Sequence, residues 1–370
     1  MKTRVCLIIP TLDQGGAEKQ LCLLAHGLTQ PNFNIEPIVI VLSRTGPREP
    51  ELLASGVPVH HVHKRFKIDP FAWLRLKALF SKLKPDVVHT WLFAANAYGR
   101  TAAMAAKVPL IIGSERSVDP WKGSLQLWID RALAKRTSGM TANSQGTIDF
   151  YAKHGIKASQ FTLIPNGIEA SNAPQISREE AFGRMGVPLN KRVILSVGRL
   201  WHQKGYQELI WTAELLRVSR TDTCYVIIGD GPERQRLEQY RDNVQSGSSV
   251  QLLGERTDVA SLMPHCDVLW NGSLYEGQSN VILEAMQIGL PVIASNIPGN
   301  SELIEQDKTG ILFPVGHSES LARLTNRILN DSDLRDSLVS NAKYRIQCNH
   351  SVQEMVNRHA ALYLKKSSKS

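Results

Sequence analysis

The stretch "KRVILSVGRLWHQKG", residues 191–205, repeats a pattern first met at the amino terminus in "RVCLIIPTL", residues 4–12. In both, a short apolar run rich in Val, Ile and Leu stops abruptly at a turn-forming residue. Such a run, without alternation of polar side chains, reads as a strand covered on both faces. Working outward, "IEPIVIVLS" (35–43), "PDVVHTW" (85–91) and "VPLIIGSE" (108–115) supply further strands in the first half. Between them lie helical patterns such as "GGAEKQLCLLAHGL" (15–28). In the second half, "CYVIIGDG" (224–231), "SVQLLGE" (249–255), "CDVLWNGS" (266–273) and "LPVIASN" (290–296) continue the restarted rhythm. The helices there are "GYQELIWTAELLRVS" (205–219), "RQRLEQYRDNV" (234–244) and "NVILEAMQIG" (280–289). Alternation of this kind predicts α/β architecture with parallel sheets. Two successive doubly wound units follow, joined near "LIPNGIEASNAPQIS" (163–177), whose Pro, Asn, Gly and Ser content reads as a linker.

The length of 370 residues favours two domains on its own. An apolar fraction of 42% and a charged fraction of 21% are those of a globular chain and exclude a low-complexity one. No uninterrupted apolar stretch reaches about 18 residues, so no spanning helix is expected. The apolar run at the amino terminus ends at Asp13 without a small-residue cleavage site, which favours a first strand over a leader and a cytoplasmic location. Five widely spaced cysteines (Cys6, Cys22, Cys224, Cys266 and Cys348) read as reduced thiols, not as a disulfide frame or zinc site. The net charge is +9, and residues 1–170 hold 21 Lys and Arg against 12 Asp and Glu, leaving 22 of each sign for residues 171–370. The first half therefore faces something acidic, and charge alone admits membrane phospholipid, a phosphate-bearing acceptor or nucleic acid.

In open parallel sheets, ligands bind outside the carboxyl ends of the strands. Three segments qualify: "PTLDQGGAE", "SVGRLWHQKG" and "GSLYEGQSN". Gly15 and Gly16 can bring backbone amides to an anion, or can simply make a tight turn. Arg199 and Lys204, after a buried strand, suit a diphosphate, whereas most such pairs are solvated. In "EGQSNVILE" (276–284), Gly277, Gln278 and Ser279 form a turn and Asn280 opens a helix. Glu276 precedes that helix and Glu284 lies one turn inside it. Carboxylates so placed accept from sugar hydroxyls, and the helix dipole alone would explain only Glu276. His89, at a strand end, is either a base or hydroxyl acceptor or, more commonly, a neutral hydrogen-bonded core histidine. "DSD" (331–333) reads as a helix cap, and His60 and His61 lack ligand spacing, so no metal is expected.

The combination "GGAE", "SVGRLWHQKG", "IIGDGP", "EGQSNVILEAMQIGLPVIAS" and "GILFPVG" resembles the retaining nucleotide-sugar glycosyltransferases of family 4, the group 1 transferases. The resemblance implies the GT-B fold, two doubly wound Rossmann-like domains facing each other across a cleft. It implies an acceptor domain at 1–170, with a last helix at 351–366 crossing back onto it, and a donor domain at 171–350. By family pattern Arg199 and Lys204 hold the donor diphosphate, Glu276 the sugar hydroxyls and Glu284 the ribose. Gln278, Ser279 and Asn280 contact phosphate and sugar through backbone groups. Gly16 borders phosphate and acceptor, and Gly229 and Asp230 form a glycine-rich turn near the nucleotide. The resemblance needs no metal or other cofactor, favours UDP over GDP, and implies a glycan or lipid-linked acceptor and no nucleic acid partner. Where relatives carry further histidines this chain has Trp91 and Ala94. An inactive nucleotide-binding or membrane-binding scaffold, or an epimerase, are the alternative readings.

Two basic amphipathic segments, 69–84 and 121–136, admit peripheral contact with the inner face of a membrane. In the first, Asp69 caps the helix, Pro70 is its first residue, and Trp73, Leu76, Leu79, Phe80 and Leu83 form one stripe. A stripe packed on the chain's own sheet is the plainer reading.

Overall fold

The computed structural model describes residues 2–170, 173–247 and 249–367. The expected linker includes residues 171 and 172, which lie outside the described residues. The chain divides into two compact units, Met1–Gly167 with His350–Ser370, and Ile168–Asn349.

The first unit runs β1 (Thr3–Thr11), α1 (Gly16–Leu28), β2 (Ile35–Arg44), α2 (Glu49–Ala54), β3 (Val59–His61), α3 (Pro70–Leu83), β4 (Val87–Trp91), α4 (Leu92–Ala105), β5 (Leu110–Glu115), α5 (Ser124–Ala134), β6 (Gly139–Ala142), α6 (Gln145–Lys153) and β7 (Phe161–Leu163). The second runs α7 (Arg178–Met185), β8 (Arg192–Val197), α8 (Tyr206–Ser219), β9 (Thr223–Ile228), α9 (Arg234–Asn243), β10 (Val250–Leu252), α10 (Val259–Leu262), β11 (Val268–Asn271), α11 (Asn280–Ile288), β12 (Val292–Ser295), α12 (Pro298–Ser301), β13 (Ile311–Phe313), α13 (Ser318–Asn330) and α14 (Ser332–Asn349). The last helix, α15 (Val352–Ser367), belongs to the first unit. Both sheets are parallel, with strand orders β3-β2-β1-β4-β5-β6-β7 and β10-β9-β8-β11-β12-β13.

The continuous apolar runs are explained by cover on both faces. Along β1, Val5, Leu7 and Ile9 enter one core with α1 and α15, while Cys6 and Ile8 enter the other with α3 and α4. Along β8, Val193 and Leu195 face one core and Ile194 the opposite one. Each fully buried large aliphatic chain contributes about 1.5–3 kcal/mol, so alternate residues of one strand stabilise two separate layers. The strands missing from the sequence reading, β3, β6, β7 and β13, are three or four residues long.

α3 begins as expected: the Asp69 side chain accepts from the Ala72 amide at 2.9 Å, and Pro70 occupies the first turn. Leu76 and Phe80 are buried beneath it, with Trp73, Leu79 and Leu83 partly covered. Asp331 likewise accepts from the Leu334 amide at 2.9 Å and starts α14. Three cysteines are buried, Cys266 is half-buried and Cys348 is exposed, all of them free.

α15 contributes Met355, Val356, Ala360 and Tyr363 to the core shared with α1. Gly27 of α1 lets the helices approach, because a Cβ there would stand 2.4 Å from Val356 Cγ2. His89, beneath α15, and His359, on α15, are both 0% exposed. Burial holds His89 well below the ordinary histidine value and His359 down to about 3. Both are therefore neutral in the folded chain. As pH falls below ~6.5 the unfolded chain binds protons that the folded one refuses, so stability present above that value is lost on acidification. Between pH ~6 and ~4, the denaturation free energy of His359→Gln is expected to fall less steeply than that of the parent, by about one proton, or ~1.4 kcal/mol per pH unit. Urea titrations at several pH values read this, and parallel slopes would contradict it.

Candidate functional site

In the second unit the loops after β9, β8 and β11, three neighbouring strands, are tied to one another at the carboxyl edge of the sheet. Leu200 does the first joining, its amide donating to the Asp230 carbonyl at 2.9 Å, while the Gly229 amide donates to the Gly254 carbonyl on the loop after β10 at 2.8 Å. A Cβ on Gly229, whose φ is 142°, would lie 2.0 Å from the Gly198 carbonyl oxygen. Only glycine permits that approach. On the other side the Leu274 amide donates to the Gln203 carbonyl at 2.7 Å, and the Gln203 side chain donates to the Tyr275 carbonyl at 2.6 Å. Gly205, with φ 65°, allows the Gly272 carbonyl to approach where a Cβ would stand 2.3 Å away.

These backbone ties bring Lys204 to Glu276. The Lys204 ammonium donates to Glu276 Oε1, which also accepts from Ser273 Oγ at 2.8 Å. Gln203 Nε2 reaches the other carboxylate oxygen at 3.5 Å. The carboxylate is 9% exposed, so its charge depends on that cation and those hydrogen bonds in place of water. Arg199, on the same loop as Lys204, is exposed and lies 5.1 Å above the Trp201 ring centre. Of the four charged groups read from the sequence, the structure pairs Lys204 with Glu276 and sets Arg199 on an aromatic face. Glu284, one turn inside α11, is half-buried between Leu283 and Ala285, both fully buried.

α11 opens at Asn280 as expected, with Ser279 as its N-cap in an extended conformation. The Ser279 hydroxyl makes no cap bond; it accepts from Asn271 Nδ2 at 3.2 Å. A nine-residue helix whose N-cap side chain is turned away suits an anion, because its leading amides and dipole favour negative charge. Gly277, Gln278 and Ser279 form the preceding turn. A Cβ on Gly299 of α12 would lie 2.0 Å from the Gly277 carbonyl, so α12 supports that turn at close range.

Sequence reading missed the polar network under the turn. Asn300 Nδ2 donates to Asn271 Oδ1 at 3.2 Å and to the Ser295 carbonyl at 3.0 Å, and Asn271 Oδ1 also accepts from the Ser273 amide at 3.3 Å. The signal was a polar residue at or just past the end of each apolar strand: Asn271 and Ser273 after "VLW", and Ser295 after "VIA".

Three further expected site residues are Asp230, Gly16 and His89. Asp230 accepts from the Gly231 amide at 2.6 Å and from Arg234 at 3.2 Å, the bonds of a strand-to-helix turn. Gly16 opens α1 in the first unit, where the Glu18 carboxyl already folds back onto the helix start, within 2.0 Å of where a Gly15 Cβ would be. Burial pushes that carboxyl up from its ordinary value. His89 is corrected to the structural role: Nδ1 is bonded to the Tyr363 hydroxyl at 2.7 Å and Nε2 to Thr141 Oγ1 at 3.2 Å. With both nitrogens engaged and no exposed surface, it cannot serve as a base. A separate groove along α8, lined by His202, Trp211, Glu233 and Tyr240 among others, includes none of Arg199, Lys204, Glu276 or Glu284.

Comparison with known proteins follows the same division. Residues 177–345 match the family "Glycosyl transferases group 1" and residues 14–172 match "Glycosyltransferase Family 4". The chain is 28% identical over 303 residues to the Escherichia coli UDP-Gal:alpha-D-GlcNAc-diphosphoundecaprenol alpha-1,3-galactosyltransferase, covering 79% of this chain and 78% of that one. It is 26% identical over 357 residues to a Campylobacter jejuni alpha-1,4-N-acetyl-D-galactosaminyltransferase acting on a diphosphoundecaprenol-linked glycan, covering 92% and 93% of the two chains. The crystal structure of Anabaena Alr3699/HepE with UDP and glucose is similar in fold, with a TM-score of 0.87 at 22% identity, covering 98% of this chain and 100% of that one.

Because Gly205 combines positive φ with contact to backbone, which cannot swing aside, Gly205→Ala is expected to force the 198–205 and 272–276 loops apart. Overpacking of this kind costs about 1–3 kcal/mol. Urea denaturation reads the loss, and a midpoint equal to the parent's would contradict the tie.

Proposed function

The chain is a group 1 glycosyltransferase of GT-B fold, a hexosyltransferase, and we propose that it moves a sugar, with retention at the anomeric carbon, from a UDP-sugar to a lipid-linked glycan acceptor. The observation that carries the reading is the Lys204–Glu276 pair, held at the carboxyl edge of the sheet beside the start of α11. Arg199 and Lys204 bind the donor diphosphate and stabilise the charge that grows as the glycosidic bond to the leaving UDP breaks. Glu276 accepts from donor sugar hydroxyls and Glu284 from the ribose. Backbone groups of Gly277, Gln278, Ser279 and Asn280 meet the phosphate and sugar, and the turn at Gly229 and Asp230 borders the nucleotide. Gly16 belongs to the acceptor domain. UDP is supported by the nucleotide named for the Escherichia coli relative and for the Anabaena structure. A lipid-linked acceptor is supported by the diphosphoundecaprenol substrates named for two relatives.

This reading assigns the diphosphate charge to side chains and amides and requires no metal. Transfer of labelled sugar from a UDP-sugar into a polyprenyl-diphosphate glycan is expected to persist in excess chelator. Glu276→Ala is expected to lower kcat/KM by about 10²–10³, the scale for loss of one positioned polar group at a reacting centre. Free epimer, or nucleotide binding without turnover, would contradict the transferase assignment of the site.

Acceptors of that kind are delivered at a membrane, and no described helix is long and apolar enough to cross one. Two exposed apolar patches in the first unit support peripheral contact at the cytoplasmic face. Phe66, Ile68, Phe71 and Leu74 are 53–81% exposed at the start of α3, beside exposed Arg65, Lys67 and Arg75. Trp121, Leu125 and Trp128 are 55–67% exposed along α5, with Arg131, Lys135 and Arg136 exposed further on. Both helices pack against α4 and both follow strand carboxyl ends. Aromatic and aliphatic side chains enter the lipid boundary while the basic ones meet anionic headgroups. Sedimentation with anionic vesicles is expected to drop several-fold for Phe71→Ser/Trp128→Ser at unchanged stability. Equal sedimentation of variant and parent would count against the contact.

A further inference from the structure

The carboxyl ends of β4, β5 and β6 carry two polar clusters on opposite faces of the first sheet, and their charges are arranged differently. On the α4 and α5 side, Arg100 pairs with Asp130 at 3.3 Å, and Lys122 pairs with Asp130 at 2.8 Å and Glu115 at 3.3 Å. Every buried cation there has a carboxylate. On the α15 side, strand register sets Trp91 beside Ser114, and Ser114 beside Thr141. Arg116, just past Ser114, lies with its guanidinium 4.4 Å from the Trp91 ring centre, and His359 of α15 stacks on Trp91 at 6.1 Å. Asn143 follows β6 directly.

Arg116 is 7% exposed, and no carboxylate among the described residues pairs with it. Its one hydrogen-bond partner is Asn166 Oδ1, through Nη2. Burial alone pulls the guanidinium down to about 9. Nine buried side-chain polar atoms among the described residues lack a partner, and six belong to this cluster: Trp91 Nε1, Ser114 Oγ, Arg116 Nε and Nη1, Asn143 Oδ1 and His359 Nε2. Orphaned polar atoms are rare and costly, and an uncompensated buried cation is costlier still. Concentration of both at one strand edge points to a ligand and not to scattered imperfection.

The donor and acceptor inventory identifies its chemistry. Arg116 and the indole N–H can only donate, and the serine hydroxyl can donate. His359 Nδ1 faces the Met355 carbonyl at 2.9 Å, so that nitrogen carries the hydrogen and Nε2 offers a lone pair. Asn143 Oδ1 is also an acceptor. A water molecule would leave the cation unneutralised, and a carboxylate has no hydrogen for His359 or Asn143. A protonated phosphoryl group has anionic oxygens for the donors and a P–OH for the acceptors. We propose that the cluster of Trp91, Ser114, Arg116, Asn143 and His359 is a phosphoryl-binding site in the first unit. It shares no residue with those assigned to the donor diphosphate and does not depend on that assignment. Free phosphate and the phosphate of an acceptor share this chemistry.

The test uses the full chain carrying Arg199→Ala, so that phosphate held by the second unit does not mask the result. Inorganic phosphate is titrated by calorimetry and by thermal shift, then again in the presence of a short prenyl diphosphate. Binding that weakens at least about tenfold on adding Arg116→Gln is expected, since a charge-assisted hydrogen bond is lost. Competition by the prenyl diphosphate would identify the acceptor's phosphate as the source, and its absence would identify the free ion; both support the site. Should Arg116→Gln fail to fold, Ser114→Ala removes only the unpartnered hydroxyl and is expected to weaken phosphate several-fold. No phosphate response in the Arg199→Ala chain, or a response unchanged by Arg116→Gln or Ser114→Ala, would overturn it.

Discussion

One half-enclosed ion pair, Lys204 with Glu276, depends on nearly everything else in the second unit and explains much of it. A lysine on the loop after β8 meets a glutamate on the loop after β11 only because those strands are neighbours in the sheet. The loops touch only because Gly205 leaves room for the Gly272 carbonyl, and they stay in register through Gln203 and Leu274. Apolar strands thus fix the scaffold, glycines set how close the loops come, and the charged side chains meet as a result. Glu276 is held by a cation and a serine hydroxyl; in the donor role proposed above, a diphosphate would draw Lys204 toward itself and free the carboxylate for sugar hydroxyls.

The first unit uses the same strand-edge geometry for another purpose. Its carboxyl edge carries a charge-balanced cluster around Lys122 on one face and an unbalanced cation, Arg116, on the other. The balanced cluster anchors the 116–123 segment, from which Trp121 projects into solvent. The closing helix α15 covers the second cluster with His359 and Tyr363. Burial of His89 beneath it accounts for a histidine at a strand end that takes no part in chemistry.

The parallel layers were legible because apolar runs such as "VCLII" and "VILSV" have no polar alternation, a pattern that only two-sided cover explains. The start of α11 and the cap of α3 were legible because the turn at 277–279 and the pair Asp69 and Pro70 are local signals. The partnerships were not. Nothing in the chain order says that Lys204 rests on Glu276, because that depends on strand order and on glycine contacts between loops about 70 residues apart. The charge of residues 1–170 was legible as an excess, but its division into paired and unpaired groups depends on which face of β5 each side chain takes. His89 shows the same limit: its position at a strand end is visible in sequence, and the lid that buries it comes from residues 359–363.

UDP and UDP-sugar affinities, measured by calorimetry for Lys204→Met and Glu276→Gln, test most directly whether the ion pair is a donor clamp. The account predicts that Lys204→Met weakens both ligands about 10–100-fold, the range for loss of a charge-assisted contact. Glu276→Gln, which releases the lysine and removes only a hydroxyl acceptor, should weaken the UDP-sugar and leave UDP bound as tightly as before, or more tightly. A Glu276→Gln chain that loses UDP as severely as Lys204→Met would contradict it, and would reduce the pair to a brace between two loops.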